Sequence, residues 1–253
     1  MSELVRTEIE WTYTPTNFFD APYIQTTPEY TLSFDNGTAL LILQSPQHPV
    51  EVELLKTLTE EIRQILNMRA IQIHEKFAFA ARGETHTFSD GDRKSLIQGW
   101  ATFKGASHMS AELAEYDKDG NLLTMTKEQQ AQKDREFLEV AAQKIPESEA
   151  LLSVIRSYNA AIRDPADELI HLYEIRDRIV KEFKSSSEAQ KEMRFNKLRW
   201  SRFGSLCNEL PLRQGRHRGR NAGALRDATF GELKAARKIA RDLIYAYLEY
   251  ISR

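Results

Sequence analysis

Four arginines and one histidine fall within eight consecutive positions, Arg213-Gln214-Gly215-Arg216-His217-Arg218-Gly219-Arg220, with Asn221 following. Like charges at that density do more than connect two elements. Gly215 and Gly219 bracket Arg216-His217, so the backbone there can turn sharply or approach a ligand closely. Surrounding guanidinium groups disfavour the imidazolium form of His217 and favour the neutral ring. A neutral imidazole beside fixed cations can accept a proton or help hold a phosphate-bearing ligand. The plainer alternative is a solvated basic loop that pairs with acidic surface. A second feature is Tyr173-Glu174-Ile175-Arg176. Here a glutamate and an arginine sit on a helix whose other positions are apolar, so Glu174 is expected to reach the basic loop and orient Arg216 or His217. Tyr173, Arg176, Arg218, Arg220 and Asn221 complete the residues expected to bind a ligand or support the site.

The elements that position this loop are helices. Leu169, Leu172, Tyr173, Ile175, Arg176, Ile179, Val180 and Phe183 recur at helical spacing behind Asp164-Pro165, which is read as N-cap and first helical residue. Ser185-Ser186-Ser187 ends that helix. Met193–Asn208 reads as a further helix leading into the loop. Beyond the loop, Thr229 and Glu232 form a capping box, and a long terminal helix buries Leu233, Ala236, Ile239, Ala240, Leu243, Ile244, Tyr247, Leu248 and Ile251. Upstream, Glu149–Arg163 carries a stripe of Leu151, Leu152, Ile155, Tyr158 and Ile162. The very polar segment 128–144 reads as an exposed or bridging helix.

The N-terminal half has a different period. Residues 8–14 alternate polar and apolar side chains, as a half-buried strand does. Residues 30–34 and 38–43 flank Asp35-Asn36-Gly37, a strong hairpin signal. Phe18–Tyr23 is an irregular apolar plug for one end of a sheet. Residues 50–68 form an amphipathic helix, and strands are expected at 71–74, 77–80 and 96–103. Residues 112–116 and 122–124 are read as a hairpin around Asp117-Lys118-Asp119-Gly120-Asn121, whose glycine stands at the wrong position for an EF-hand loop. The fold class is therefore α+β. A mixed β-rich domain (1–124) leads through a connecting helix or linker (125–147) to an all-helical domain (148–253).

The 253 residues are 41% apolar and 28% charged, an ordinary globular composition. Residues 196–253 hold thirteen basic and five acidic side chains, so a net charge of +8 there is offset by −10 in the rest. Such polarity suits a basic face for an anionic partner. No apolar run is long enough to span a membrane, and Met1–Arg6 is not read as a secretory signal. The single cysteine, Cys207, points to a reducing cytoplasm and to a buried apolar role. Six scattered histidines offer no metal-ligand spacing, and neither a dinucleotide glycine fingerprint nor a P-loop occurs. No metal or cofactor is implied. Trp11, Trp100 and Trp200 are read as core.

Two of these stretches, Glu168-Leu-Ile-His-Leu-Tyr-Glu-Ile-Arg-Asp177 and Arg213-Gln-Gly-Arg-His-Arg-Gly219 ahead of a long last helix, resemble the HEPN superfamily over about residues 148–253. That resemblance implies a helical bundle, often dimeric. It also implies either a metal-independent ribonuclease or an inactive assembly subunit in bacterial stress and antiviral systems. The family's catalytic signature spaces an arginine and a histidine as Arg-x4-6-His. Here three residues separate Arg213 from His217, and Arg216 is adjacent to it. Arg69-Ala-Ile-Gln-Ile-His74 meets the spacing but lies outside the resembling region. The expected function is a HEPN-like defence or stress subunit, acting as a homodimer and/or with a defence-system enzyme. It would bind RNA, a nucleotide or an acidic partner face through the basic loop rather than catalyse alone. The alternative is an endoribonuclease toxin using His217 with Arg213 or Arg216 as base and cation. A DNA-binding regulator has no recognition-helix signature to support it.

Overall fold

Alternating side chains near the N-terminus build one antiparallel sheet, and the stripes that follow build helices. A computed structural model describes residues 2–97, 127–216 and 224–253. The chain is α+β. Its residues group into two units, Met1–Arg69 with Phe77–Thr124, and Ala70–Lys76 with Met125–Arg253.

In the first unit the strands are β1 (Leu4–Thr14), β2 (Tyr23–Thr26), β3 (Tyr30–Asp35), β4 (Thr38–Leu43), β5 (Ala78–Phe88) and β6 (Arg93–Ile97), ordered β2-β3-β4-β1-β5-β6. The β3–β4 turn is the expected one, with Asn36 and Gly37 at φ 45° and 82°. A β-carbon at Gly37 would stand 2.8 Å from the Thr16 methyl, so glycine is needed for space as well as for conformation. Alternation along β1 buries Thr7, Ile9, Trp11 and Tyr13 on one face. Helix α1 (Val52–Ile73) buries Leu58, Ile62, Ile65 and Leu66, and the Trp11 indole donates to the Thr59 hydroxyl at 3.2 Å. Phe18 is wholly buried among Tyr13, Phe19 and Phe77, as a plug should be. Arg69 pins that plug by donating to the Phe18 carbonyl at 2.9 Å and to Asp20 at 2.6 Å.

Three departures have physical reasons. Residues 71–73 continue α1 instead of starting a strand, because Ala70 and Ile71 extend its buried stripe. The helix stops where His74 enters the left-handed region at φ 53°, which histidine tolerates better than bulky residues. Strand β5 runs far past Ala80, with Glu84 and His86 on its buried side in place of apolar residues. Strand β6 covers the start of the 96–103 segment; its remainder, Trp100, and the hairpin with its acidic loop lie outside the described residues.

The second unit holds α2 (Lys127–Lys144), α3 (Glu149–Arg163), α4 (Glu168–Val180), α5 (Ser186–Glu192), α6 (Lys197–Gly204) and α7 (Phe230–Ile251). The α7 capping box is present in both directions and contributes about 1 kcal/mol. The terminal stripe is buried from Ala236 to Leu248, with Leu233 and Ile251 half-buried at its ends. Helix α2 is not a bare bridge: it buries Phe137, Leu138 and Ala141, and Phe137 meets Tyr245 at 3.9 Å between ring centroids. Asp164 does not start a helix. It ends α3, and α4 begins at Glu168 after a turn. Ser185 likewise caps a short helix, accepting from the Glu188 amide at 3.1 Å. Helix α6 starts at Asn196, whose side chain accepts from two backbone amides, and tightens into a π-turn over Ser205–Glu209. No described helix is long and apolar enough to cross a membrane.

Candidate functional site

Positions three and four apart share a helix face, so α4 presents Tyr173, Arg176 and Asp177 together. Tyr173 is buried, and its ring lies near-parallel to that of Phe203 on α6, with centroids 6.4 Å apart. Arg176 is half-buried between two aromatic rings, 5.2 Å from the Tyr173 centroid and 5.0 Å from that of Trp200. Gly204 makes room for it, because a β-carbon there would stand 2.6 Å from Nη1 of Arg176. Among the described residues no carboxylate pairs with Arg176. A cation so placed gains roughly 1–2 kcal/mol from the ring faces while keeping its five donors for other partners.

The basic loop approaches this group from the far side of Tyr173. Arg216 places its guanidinium 5.2 Å from the Tyr173 centroid and bonds Oδ2 of Asp177 at 2.6 Å. The Arg216 amide donates to the Cys207 carbonyl at 3.0 Å, and the Gly215 amide to that of Leu212 at 3.0 Å. A β-carbon at Gly215 would press on the Leu212 oxygen at 3.2 Å. The loop's base is closed by reciprocal bonds, Arg213 amide to Arg226 carbonyl and Arg226 amide to Pro211 carbonyl. Arg213 lies 3.9 Å from Asp227, and Arg226 forks onto Glu232. These pairs are solvated, so each contributes between about 0 and 1 kcal/mol. Cys207 is buried, and burial pushes its thiol up despite the Arg176 charge nearby. The thiol is neutral and packs.

Tyr173, Arg176 and Arg216 therefore come together, while Arg213 sits apart with Asp227. Glu174 is not the counter-charge of Arg216. It points a third of a turn away, half-exposed, toward His171 at 3.6 Å and Ser157 at 3.4 Å. Asp177, one helical turn beyond Tyr173, takes that role. His217, Arg218, Arg220 and Asn221 lie outside the described residues.

Sequence reasoning missed a second polar group in this unit. Glu168, 1% exposed, receives a two-pronged bond from Arg237. His74 lies with its Nε2 3.8 Å from Glu168 and its Nδ1 3.3 Å from the Tyr158 hydroxyl. Arg241 donates to the Gln72 carbonyl at 2.5 Å. Burial, then the charges of Arg237 and Arg241, lower His74 to about 3, so its ring is neutral. Burial also pushes the Tyr158 hydroxyl up. These groups answer one another and act as internal ties. The spacing Arg69-x4-His74 singled out the right histidine with the wrong arginine, since Arg69 is committed to Phe18 and Asp20. A usable signal was present in α7, where Arg237 and Arg241 adjoin buried stripe positions. Among the described residues, no group of three histidine, cysteine, aspartate or glutamate side chains could hold a metal ion. Neither protein-family models, nor curated proteins, nor solved structures give a match to this chain.

Proposed function

We propose that the chain is a HEPN-like subunit of a bacterial antiviral-defence or stress system, with a helical unit that binds an anionic ligand without catalysing on its own. The ligand class favoured is RNA or a nucleotide, with an acidic face of a partner enzyme as the protein equivalent, and the working form is a homodimer and/or a hetero-complex. One observation carries this reading: Arg176 is fixed between Tyr173 and Trp200, without a carboxylate among the described residues, beside Arg216. A planar guanidinium on an aromatic platform suits a phosphate, which it can bind with two parallel bonds. The short spacing from Arg213 to His217, and the ties of Arg213 to Asp227 and Arg216 to Asp177, support binding over turnover.

The test is anisotropy of a fluorescein-labelled single-stranded RNA with the full chain, run alongside gel analysis of the same samples. Arg176→Ala is expected to weaken binding by roughly tenfold, with Lys56→Ala, an exposed position of the first unit, as charge-matched control. RNA should stay intact. Cleavage abolished by His217→Ala would overturn this reading in favour of a metal-independent ribonuclease toxin. Equal affinity in the wild type and Arg176→Ala would remove the site.

A further inference from the structure

The register of β1 against β5 puts Ile9 opposite Glu84 and Thr7 opposite His86, with all four side chains on the buried face of the sheet. A carboxylate there is unfavourable unless something answers it. Glu84 is 6% exposed, and its Oε2 has no hydrogen-bond partner. The nearest polar atom is Nε2 of His86 at 3.4 Å, itself fully buried and without a directed hydrogen bond. Burial first, then the His48 ring 4.3 Å away, lowers the proton affinity of His86. The imidazole therefore supplies no standing positive charge. Arg82 is close in sequence, but its guanidinium bonds Glu10.

A pocket of about 250 Å³ opens beside this pair, with Glu84 in its lining. Its shape follows from a register shift, in which Glu10 pairs with Gly83 and Trp11 with Ala81, so that Arg82 is the extra residue of a bulge. Bulges of this kind re-aim strands next to binding sites. Trp11, Ile9 and Leu55 contribute apolar wall, and the indole is fixed by its bond to Thr59. The volume lies below the roughly 300–1,000 Å³ of pockets for drug-sized ligands. A bare divalent ion finds no set of three ligating side chains among the described residues. An alkylammonium needs one carboxylate for its head, apolar wall for its chain, and gains from an aromatic neighbour.

We propose that this pocket of the first unit is a binding site for a small organic cation, with Glu84 receiving a primary ammonium group and Trp11 and Leu55 enclosing its alkyl part. The assignment is independent of the anion site.

The experiment is a titration of the full chain with propylammonium chloride, followed by thermal shift and tryptophan fluorescence, with 1-butanol and sodium chloride as neutral and ionic controls. Saturable stabilisation by propylammonium alone is expected. Glu84→Gln should weaken it at least about tenfold and raise the melting temperature of the unliganded chain by removing an unanswered buried charge. Leu55→Phe, which fills the pocket without touching Glu84, should also abolish the response, so the result does not hang on one variant's folding. Glu53→Gln, at an exposed position of α1, should leave it unchanged. No saturable response in the wild type, an equal response to butanol, or full retention in both Glu84→Gln and Leu55→Phe would overturn the site.

Discussion

Glu168 and Arg237 are joined by two parallel hydrogen bonds, Nε to Oε1 at 2.5 Å and Nη2 to Oε2 at 2.7 Å, with the carboxylate almost wholly buried. The pair ties the first turn of α4 to α7. Removing one member leaves the other charged and unanswered, which costs about 3–5 kcal/mol. Glu168→Leu should therefore lower the urea midpoint sharply, whereas Glu168→Leu combined with Arg237→Met should recover most of the loss. A double variant as unstable as the single one would show that the pair is more than a local charge balance.

His74 makes stability depend on acid. Its folded value of about 3 lies below the ordinary 6.5, so the unfolded chain takes up the proton first as pH falls. The groups facing the ring are Tyr158, Glu168, Arg237 and Arg241. Stability from this residue is fully present above pH 6.5 and declines between 6.5 and about 3, with about 2 kcal/mol gone by roughly pH 5. His74→Asn keeps a residue that accepts the left-handed backbone and removes the titration. Urea midpoints at neutral pH and near pH 5 should converge in that variant and differ in the wild type.

How far these features were legible depends on how local their causes are. Asn36-Gly37 and Thr229–Glu232 declare themselves because a turn and a cap are settled within four residues. The stripe of α7 is equally plain, since one period governs it throughout. Strand β5 is opaque because Glu84 and His86 occupy its buried side, where an apolar pattern is the usual signal. The helix start after Asp164-Pro165 is misjudged for a related reason: local cap chemistry fits Asp164, but burial of Glu168 and its bond to Arg237 come from residues far along the chain. Choosing Asp177 over Glu174 was within reach. On a helix of 3.6 residues per turn, position 177 returns to the face of Tyr173 and position 174 does not.

Gly204 offers a separation of binding from stability. Alanine there meets only the tip of the Arg176 side chain, at 2.6 Å from Nη1, and alanine is the better helix former by about 0.5–1 kcal/mol. The thermal midpoint of Gly204→Ala should hold or rise slightly, while Arg176 is displaced from between Tyr173 and Trp200 and RNA affinity falls. Unchanged affinity with Arg176 displaced, shown by a crystal structure of the variant, would detach Arg176 from ligand binding.

Asp177 discriminates between a binding loop and a catalytic one. Its pair with Arg216 is solvent-exposed on both sides, 47% and 42%, so Asp177→Asn should change stability by no more than about 0.5 kcal/mol. If Arg216 binds an anion, freeing its guanidinium from a competing carboxylate strengthens RNA binding. The dependence of log affinity on log salt should then steepen by about 0.7 for one more phosphate contact with a single strand. If Arg216 instead serves turnover and Asp177 orients it, the same substitution lowers a cleavage rate and leaves the salt slope unchanged. Anisotropy titrations of Asp177→Asn over a range of salt concentrations, read against gels of the same samples, give the two outcomes opposite signs.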